Sequence, residues 1–407
     1  MEPSDPQMPM VAHVAHWVLP VSQPPIRDGA VVVDHDRIID IGPAAEVLAG
    51  FSGPICDHGA GAILPGLVNC HVHLEFSALA GMVPPQARWQ DWLDAALAGY
   101  GGLAPEEMEA GVIRGIEAVH ISGTALAGEV TNTGCSRPYL EKSPLAYHLF
   151  YECLGFDLLQ PAELEEMFPF FAQAGSINDP RVSAGAHAPY SVSASLFRAI
   201  GKWNDARRRP QTVHLAESRG ELEFLNQGDG FFRDLLQRRG RWVADFQPPR
   251  VSPGAYLDSL GFLNGATLAV HGVWLDSEDM RRLRRTGAWL VLCPRANRYT
   301  GAGTPRVAPL LSAGVNLALG TDSLAGNWDL NLFGEMLWLN RHYPHQGELW
   351  LRLGTLNGAR ALGRQADFGS LEPGKRAALG FVPLAGDRDF WGELYAAGAE
   401  GGFRWLG

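Results

Sequence analysis

The sequence predicts an α/β protein, a (β/α)8 TIM-type barrel with β-rich segments at both chain ends. Three observations carry this reading. Between the ends, short apolar runs alternate with longer helix-patterned stretches, the signature of βα units around a parallel sheet. Eight such runs can be counted, within the roughly 250 residues or more that a closed barrel occupies. The first 60 and last 40 residues instead show β-branched runs punctuated by charged or Gly/Pro turns.

Taken in order, Val31-Val32-Val33 and Ile38-Ile39 read as two strands around the turn Asp34-His35-Asp36. Central strands are predicted to end near His71, Thr131, Tyr151, His187, His214, His271, Pro294 and Asp322. Helices are expected over Pro105–His120, Ala162–Gly175, Ala194–Asp205, Gly220–Arg239 and Ser277–Arg285. Near the C-terminus, Gly369–Lys375 forms a turn before a strand over Ala377–Val382.

Composition narrows the function classes. Lys and Arg number 33 against 44 acids, a net charge of −11. No basic face is available to neutralise duplex phosphates, so no nucleic-acid partner is expected. The five cysteines form no C-x-x-C pair, which argues against a disulfide framework or a thiolate zinc site. No apolar run is long enough to span a bilayer. Met1–Pro25 lacks the basic region and apolar stretch of a signal peptide. A cytoplasmic protein without membrane partners is expected.

The chemistry gathers at predicted strand ends, the face where barrel enzymes build their sites. In Asn69-Cys70-His71-Val72-His73 the two imidazoles are two residues apart. They therefore project to one side of a strand and suit a metal. In Thr212-Val213-His214-Leu215-Ala216-Glu217 strand parity would send Glu217 away from His214. The strand must turn there for the carboxylate to reach the site. His271 ends Leu268-Ala269-Val270-His271, and Asp322 follows Ala318-Leu319-Gly320-Thr321. Singly, these are a core histidine, a surface acid starting a helix or an N-cap aspartate. Together, in this order, they point to one site.

This ordered set resembles the amidohydrolase superfamily, in its branch of nucleobase and nucleoside deaminases and related chlorohydrolases. The resemblance rests on Pro65–Asn69, His71/His73, His214 with Glu217, His271, and Gly320-Thr321-Asp322-Ser323. It implies a barrel over residues 63–366 and a small composite β-sandwich from 1–62 and 367–407. It implies that His71, His73, His214 and Asp322 hold one divalent metal per chain, Zn2+ ahead of Fe2+ or Mn2+. Binuclear relatives carry a bridging lysine on the fourth strand, where this chain reads Val182-Ser183-Ala184-Gly185-Ala186-His187. Glu217, His271 and Asp322 are then the catalytic residues, and a small nucleoside is the substrate partner. A homodimer is left open.

Three stretches bear on the substrate. His187-Ala188-Pro189-Tyr190 is similar to a stretch that contacts the ribose or base in adenosine-type members. Cys293-Pro294-Arg295-Ala296-Asn297-Arg298-Tyr299 resembles a Cys-Pro-x-Ser-Asn motif, with Ala296 where serine is usual. His73-Leu74-Glu75-Phe76 with Trp89-x-x-Trp92 resembles the aminodeoxyfutalosine deaminases of the alternative menaquinone pathway. The expected substrate contacts are His187, Glu75, Arg298 and Asn297. A benzoate carboxylate would want an arginine, from Arg137, Arg219, Arg295 or Arg298. The alternatives are a relative acting on a free base or triazine, and an inactive binding protein on the same fold.

Overall fold

Valines and isoleucines favour an extended backbone in the first strands, β1 (Val11–Val18), β2 (Ile26–Asp34) and β3 (Arg37–Pro43). The computed structural model describes residues 10–160, 164–168, 178–386 and 389–406. The turn between β2 and β3 places His35 at φ 52°. Next come β4 (Ile55–Asp57) and β5 (Gly61–Pro65), and from the other chain end β14 (Leu379–Pro383) and β15 (Arg404–Leu406). These seven join in one sheet of order β15-β14-β5-β1-β2-β3, with β4 beside β1. Its apolar face gathers Val18, Val31, Ile38, Ile63, Leu379 and Phe381.

The barrel strands are β6 (Leu67–Val72), β7 (Thr124–Thr131), β8 (Ala146–Cys153) and β9 (Val182–Ala186). They continue with β10 (Gln211–Leu215), β11 (Thr267–His271), β12 (Trp289–Leu292) and β13 (Asn316–Leu319). They run in simple order, β13 through β6, in an eight-stranded sheet. Their near-continuous burial explains why they read as unbroken apolar runs. Just past β13, the amides of Thr321 and Asp322 donate to the carbonyl of His71 at 3.1 and 3.0 Å. This brings the last strand's end to the first.

The chain divides into two compact units. One comprises Met1–Asn69, Val119–Leu126 and Asn331–Gly407, the other Cys70–Ala118 and Ala127–Leu330. The second unit contains every candidate site residue.

Several expected boundaries shift for physical reasons. The seventh strand stops at Leu292, because Pro294 opens a helix over Pro294–Tyr299, where its missing N–H costs nothing. The eighth stops at Leu319, before the left-handed turn at Asp322 (φ 58°). The expected helix Gly220–Arg239 is two, Arg219–Gln227 and Phe231–Arg238, separated by Gly228 and Gly230 at φ 69° and 84°. The helices Pro105–Ile121, Ala194–Arg207 and Ser277–Thr286 lie where expected. Of Ala162–Gly175, a helical turn is described at Leu164–Met167; most of the segment lies outside the described residues.

Candidate active site

β6 delivers the first two histidines. His71 ends the strand's alternation and His73 follows where the chain turns into a 3-10 helix over Leu74–Leu79. β10 supplies His214. The Nε2 atoms of His71 and His214 lie 3.4 Å apart. Asp322 Oδ1 stands 3.9 Å from Nε2 of both His71 and His73. Two ligands at about 2.0–2.1 Å from a tetrahedral ion are separated by roughly 3.3–3.4 Å. The donor set therefore fits a divalent cation with modest closure.

Protonation favours the same outcome. Burial, with the neighbouring imidazoles, drives the His71 and His214 pKa values well below the usual range, and His73 to about 3. Neutral imidazoles keep a lone pair for a metal. Nδ1 of His214 donates to the His187 carbonyl at 3.0 Å, leaving Nε2 as the ligand atom. Burial pushes the Asp322 carboxyl up to about 6, opposed by His271 and the Ser323 amide.

Three non-glycine residues at these strand ends occupy the left-handed region: Ala216 at φ 50°, His271 at 75° and Asp322 at 58°. Such backbone is costly for L-residues and marks a surrounding structure that over-determines it. At Ala216 the cause is visible. Glu221 accepts from the amides of Ala216 and Glu217 at 3.0 and 3.1 Å. That contact pins the turn that swings Glu217 over the site, as strand parity required. Glu217 Oε1 lies 3.7 Å from His271 Nε2 and accepts from the Trp89 indole at 2.7 Å. Burial raises the Glu217 pKa to about 7, against the pull of that indole. His271 Nδ1 donates to Asn297 Oδ1 at 2.8 Å, so its Nε2 presents a lone pair toward Glu217.

His73, His214, Glu217, His271 and Asp322 line a cavity of about 330 Å³. Phe76, Trp89, Trp92, Tyr100 and Tyr190 form an aromatic part of its wall, and Asn132, Thr133, Glu152 and His187 a polar part.

Of the expected substrate contacts, His187 lines this cavity; Glu75, Asn297 and Arg298 are not among its lining residues. Glu75 is fully buried and accepts from Thr131 Oγ1, the Asn132 amide and Thr133 Oγ1 at 2.7, 2.8 and 2.9 Å. It holds the loop after β7. Asn297 orients His271, and Arg298 is exposed. No arginine or lysine is found among the described lining residues. Arg137 pairs with Glu141 and Asp179, Arg295 with Asp329, and Arg219 lies over Trp274.

Two residues of the site escaped sequence reasoning. Glu221 looks like an ordinary acid in a helix's first turn. Glu152 lines the cavity from β8. Its signal is a lone acid in the apolar run ending Tyr151-Glu152-Cys153. Burial pushes its carboxyl up to about 8, against the Asn132 amide.

Neutral imidazoles and a carboxylate converging at the C-terminal rim of a parallel barrel, with an acid poised beside them, define a metal-dependent hydrolase. The profile of the amidohydrolase family matches residues 62–391, and the chain belongs to that family. It is 27% identical over 381 residues to the 5-methylthioadenosine/S-adenosylhomocysteine deaminase of Pyrococcus furiosus, across 88% of this chain and 84% of that protein. It is 27% identical over 353 residues to the aminodeoxyfutalosine deaminase of Deinococcus radiodurans, across 84% of this chain and 82% of that one. The crystal structure of an adenosine deaminase from Xanthomonas campestris with bound zinc superposes with a TM-score of 0.77. It is 25% identical and covers 92% of this chain and 85% of that one. Among the described residues, no helix is long and apolar enough to cross a membrane.

Proposed function

We propose that this chain is an aminohydrolase that replaces the 6-amino group of an adenosine-like nucleoside with oxygen. The observation that carries the reading is the cavity. A proton-cycling acid and an aspartate line it together with the aromatic rings of Phe76, Trp89, Trp92, Tyr100 and Tyr190. Such a wall stacks on a purine and accepts an apolar 5′ substituent.

His71, His73, His214 and Asp322 would hold one divalent ion, and no lysine stands on β9 for a second. Such an ion, when bound, lowers the pKa of water so that hydroxide is present near neutral pH. The protein's own groups do the rest. Protonated Glu217 gives its proton to the ring nitrogen beside C6, making that carbon electrophilic. His271 Nε2, fixed as an acceptor by Asn297, aligns the attacking water. Asp322 takes the water's proton as the C–O bond forms. That proton passes to the amino group as the C–N bond breaks and ammonia leaves, while the proton left on the new C6 hydroxyl returns to Glu217 as the carbonyl forms, restoring the acid.

For the 5′ side, 6-amino-6-deoxyfutalosine is the preferred reading, because its aryl arm matches the aromatic wall. The lack of a cation on the described walls favours a second reading, a neutral thioether such as 5′-methylthioadenosine. Both would be compared with adenosine, adenine, guanine and cytosine, following ammonia release. Nucleosides should exceed every free base in kcat/KM, and preference for a free base would refute the nucleoside assignment.

A further inference from the structure

The reaction as described does not use Glu152, although it is only 4% exposed and lines the cavity. Its Oε2 accepts from Asn132 Nδ2 at 2.8 Å. Its Oε1 is buried with no hydrogen-bond partner. His214 Nδ1 stands 3.5 Å from it, but the Nδ1 proton is already committed to the His187 carbonyl at 3.0 Å. A buried acceptor left bare is costly unless something supplies a donor.

His187 stands beside it. A ring nitrogen of His187 and a carboxyl oxygen of Glu152 lie within 4.8 Å of one another. The Ser191 hydroxyl lies 3.2 Å from the Ala188 carbonyl and 2.6 Å from His187 Nδ1; in the tautomer where it donates to that carbonyl, it accepts from His187 Nδ1. In that tautomer His187 Nε2 is an acceptor. The cavity wall therefore presents two neighbouring acceptors. A ligand fitting it carries two adjacent O–H donors, which a ribose has in its 2′,3′-diol and a free base lacks.

We propose that Glu152 is a specificity-determining residue that reads the ribose, accepting a hydroxyl proton on Oε1 while Asn132 holds Oε2. The inference rests on the nucleoside reading above and goes beyond it by assigning the sugar contact. Glu75 then acts one step removed, as a positioning residue that fixes the Asn132 backbone.

The test compares kcat/KM, at a pH above the Glu152 value of about 8 where its carboxyl is ionised, for adenosine, 2′-deoxyadenosine and 3′-deoxyadenosine in the zinc-loaded wild type, Glu152→Gln and Asn132→Ala. A glutamine here must turn its carbonyl toward Asn132 Nδ2, so its NH2 faces the cavity and offers a donor where the sugar needs an acceptor. The wild type should prefer adenosine over one of the deoxy analogues by roughly 10- to 150-fold, the range for a hydrogen bond to a charged group. In Glu152→Gln that ratio should fall toward one, the ribonucleoside losing more kcat/KM than the deoxynucleoside, with the metal retained. Asn132→Ala should move the ratio the same way by less. Three results overturn the inference. They are a wild type indifferent to both hydroxyls, equal losses on ribo- and deoxynucleosides, and turnover of free bases alone. The last also removes the nucleoside reading, whereas the first two leave it standing.

Discussion

Replacing Trp89 with phenylalanine removes one hydrogen bond and keeps most of the ring packing. The indole donates to Glu217 Oε1 at 2.7 Å, and Trp89 is 4% exposed. A hydrogen bond to a charged group contributes about 1.5–3 kcal/mol. One pKa unit corresponds to about 1.4 kcal/mol, so the bond accounts for roughly one to two units. The direction follows from which form the indole favours. It donates to the carboxylate, so it holds the Glu217 pKa down. Trp89→Phe therefore raises that pKa above its present value of about 7. The reaction starts with Glu217 protonated, so activity falls as pH rises through its pKa. The basic limb of the kcat/KM profile should move upward by about one to two units. The assay is ammonia release from 5′-methylthioadenosine over roughly pH 5 to 10, with metal content and Tm checked in parallel. A limb that stays in place, or moves down, would show that the indole does not set the protonation of Glu217.

Three further outcomes are expected. Purified protein should carry about one divalent ion per chain, and elemental analysis finding two, or none after metal-replete expression, contradicts the ligand set. Glu217→Gln should keep the metal and lose about 10²–10⁴-fold in turnover, because an amide cannot cycle the proton; near wild-type rates would remove Glu217 from the reaction. Gly320→Ala places a Cβ 2.8 Å from His71 Cβ and 2.9 Å from the His71 carbonyl oxygen. Such overpacking costs about 1–3 kcal/mol, so thermal melts should show a lower Tm and metal analysis weaker retention. A wild-type melt would mean that the end of β13 does not press on the metal-binding strand.

The sequence alone determined the barrel and most of its chemistry. Buried parallel strands must be apolar runs, so they are visible locally, and His71, His73, His214, His271 and Asp322 each stand at or just beyond the end of one. Strand parity also required a turn between His214 and Glu217. What the turn is made of was not legible. It depends on Glu221 reaching back to two backbone amides and on Ala216 entering the left-handed region. No single-residue preference announces either.

The tertiary structure alone decided where the polar side chains spend their hydrogen bonds. Glu75, close to His71 and His73 in sequence, is held by a loop about 56 residues away. Trp89, which reads as packing or stacking, reaches Glu217 across 128 residues. Asn297 goes to His271, and Arg295 goes to Asp329 and not to a ligand. Meanwhile Glu152 faces the cavity with an oxygen unspent. The physical reason is common to all of them. Apolar burial follows a local period of two or 3.6. The partner of a buried polar group is whichever donor or acceptor the packed chain brings within about 3 Å, and that is fixed only once distant segments meet.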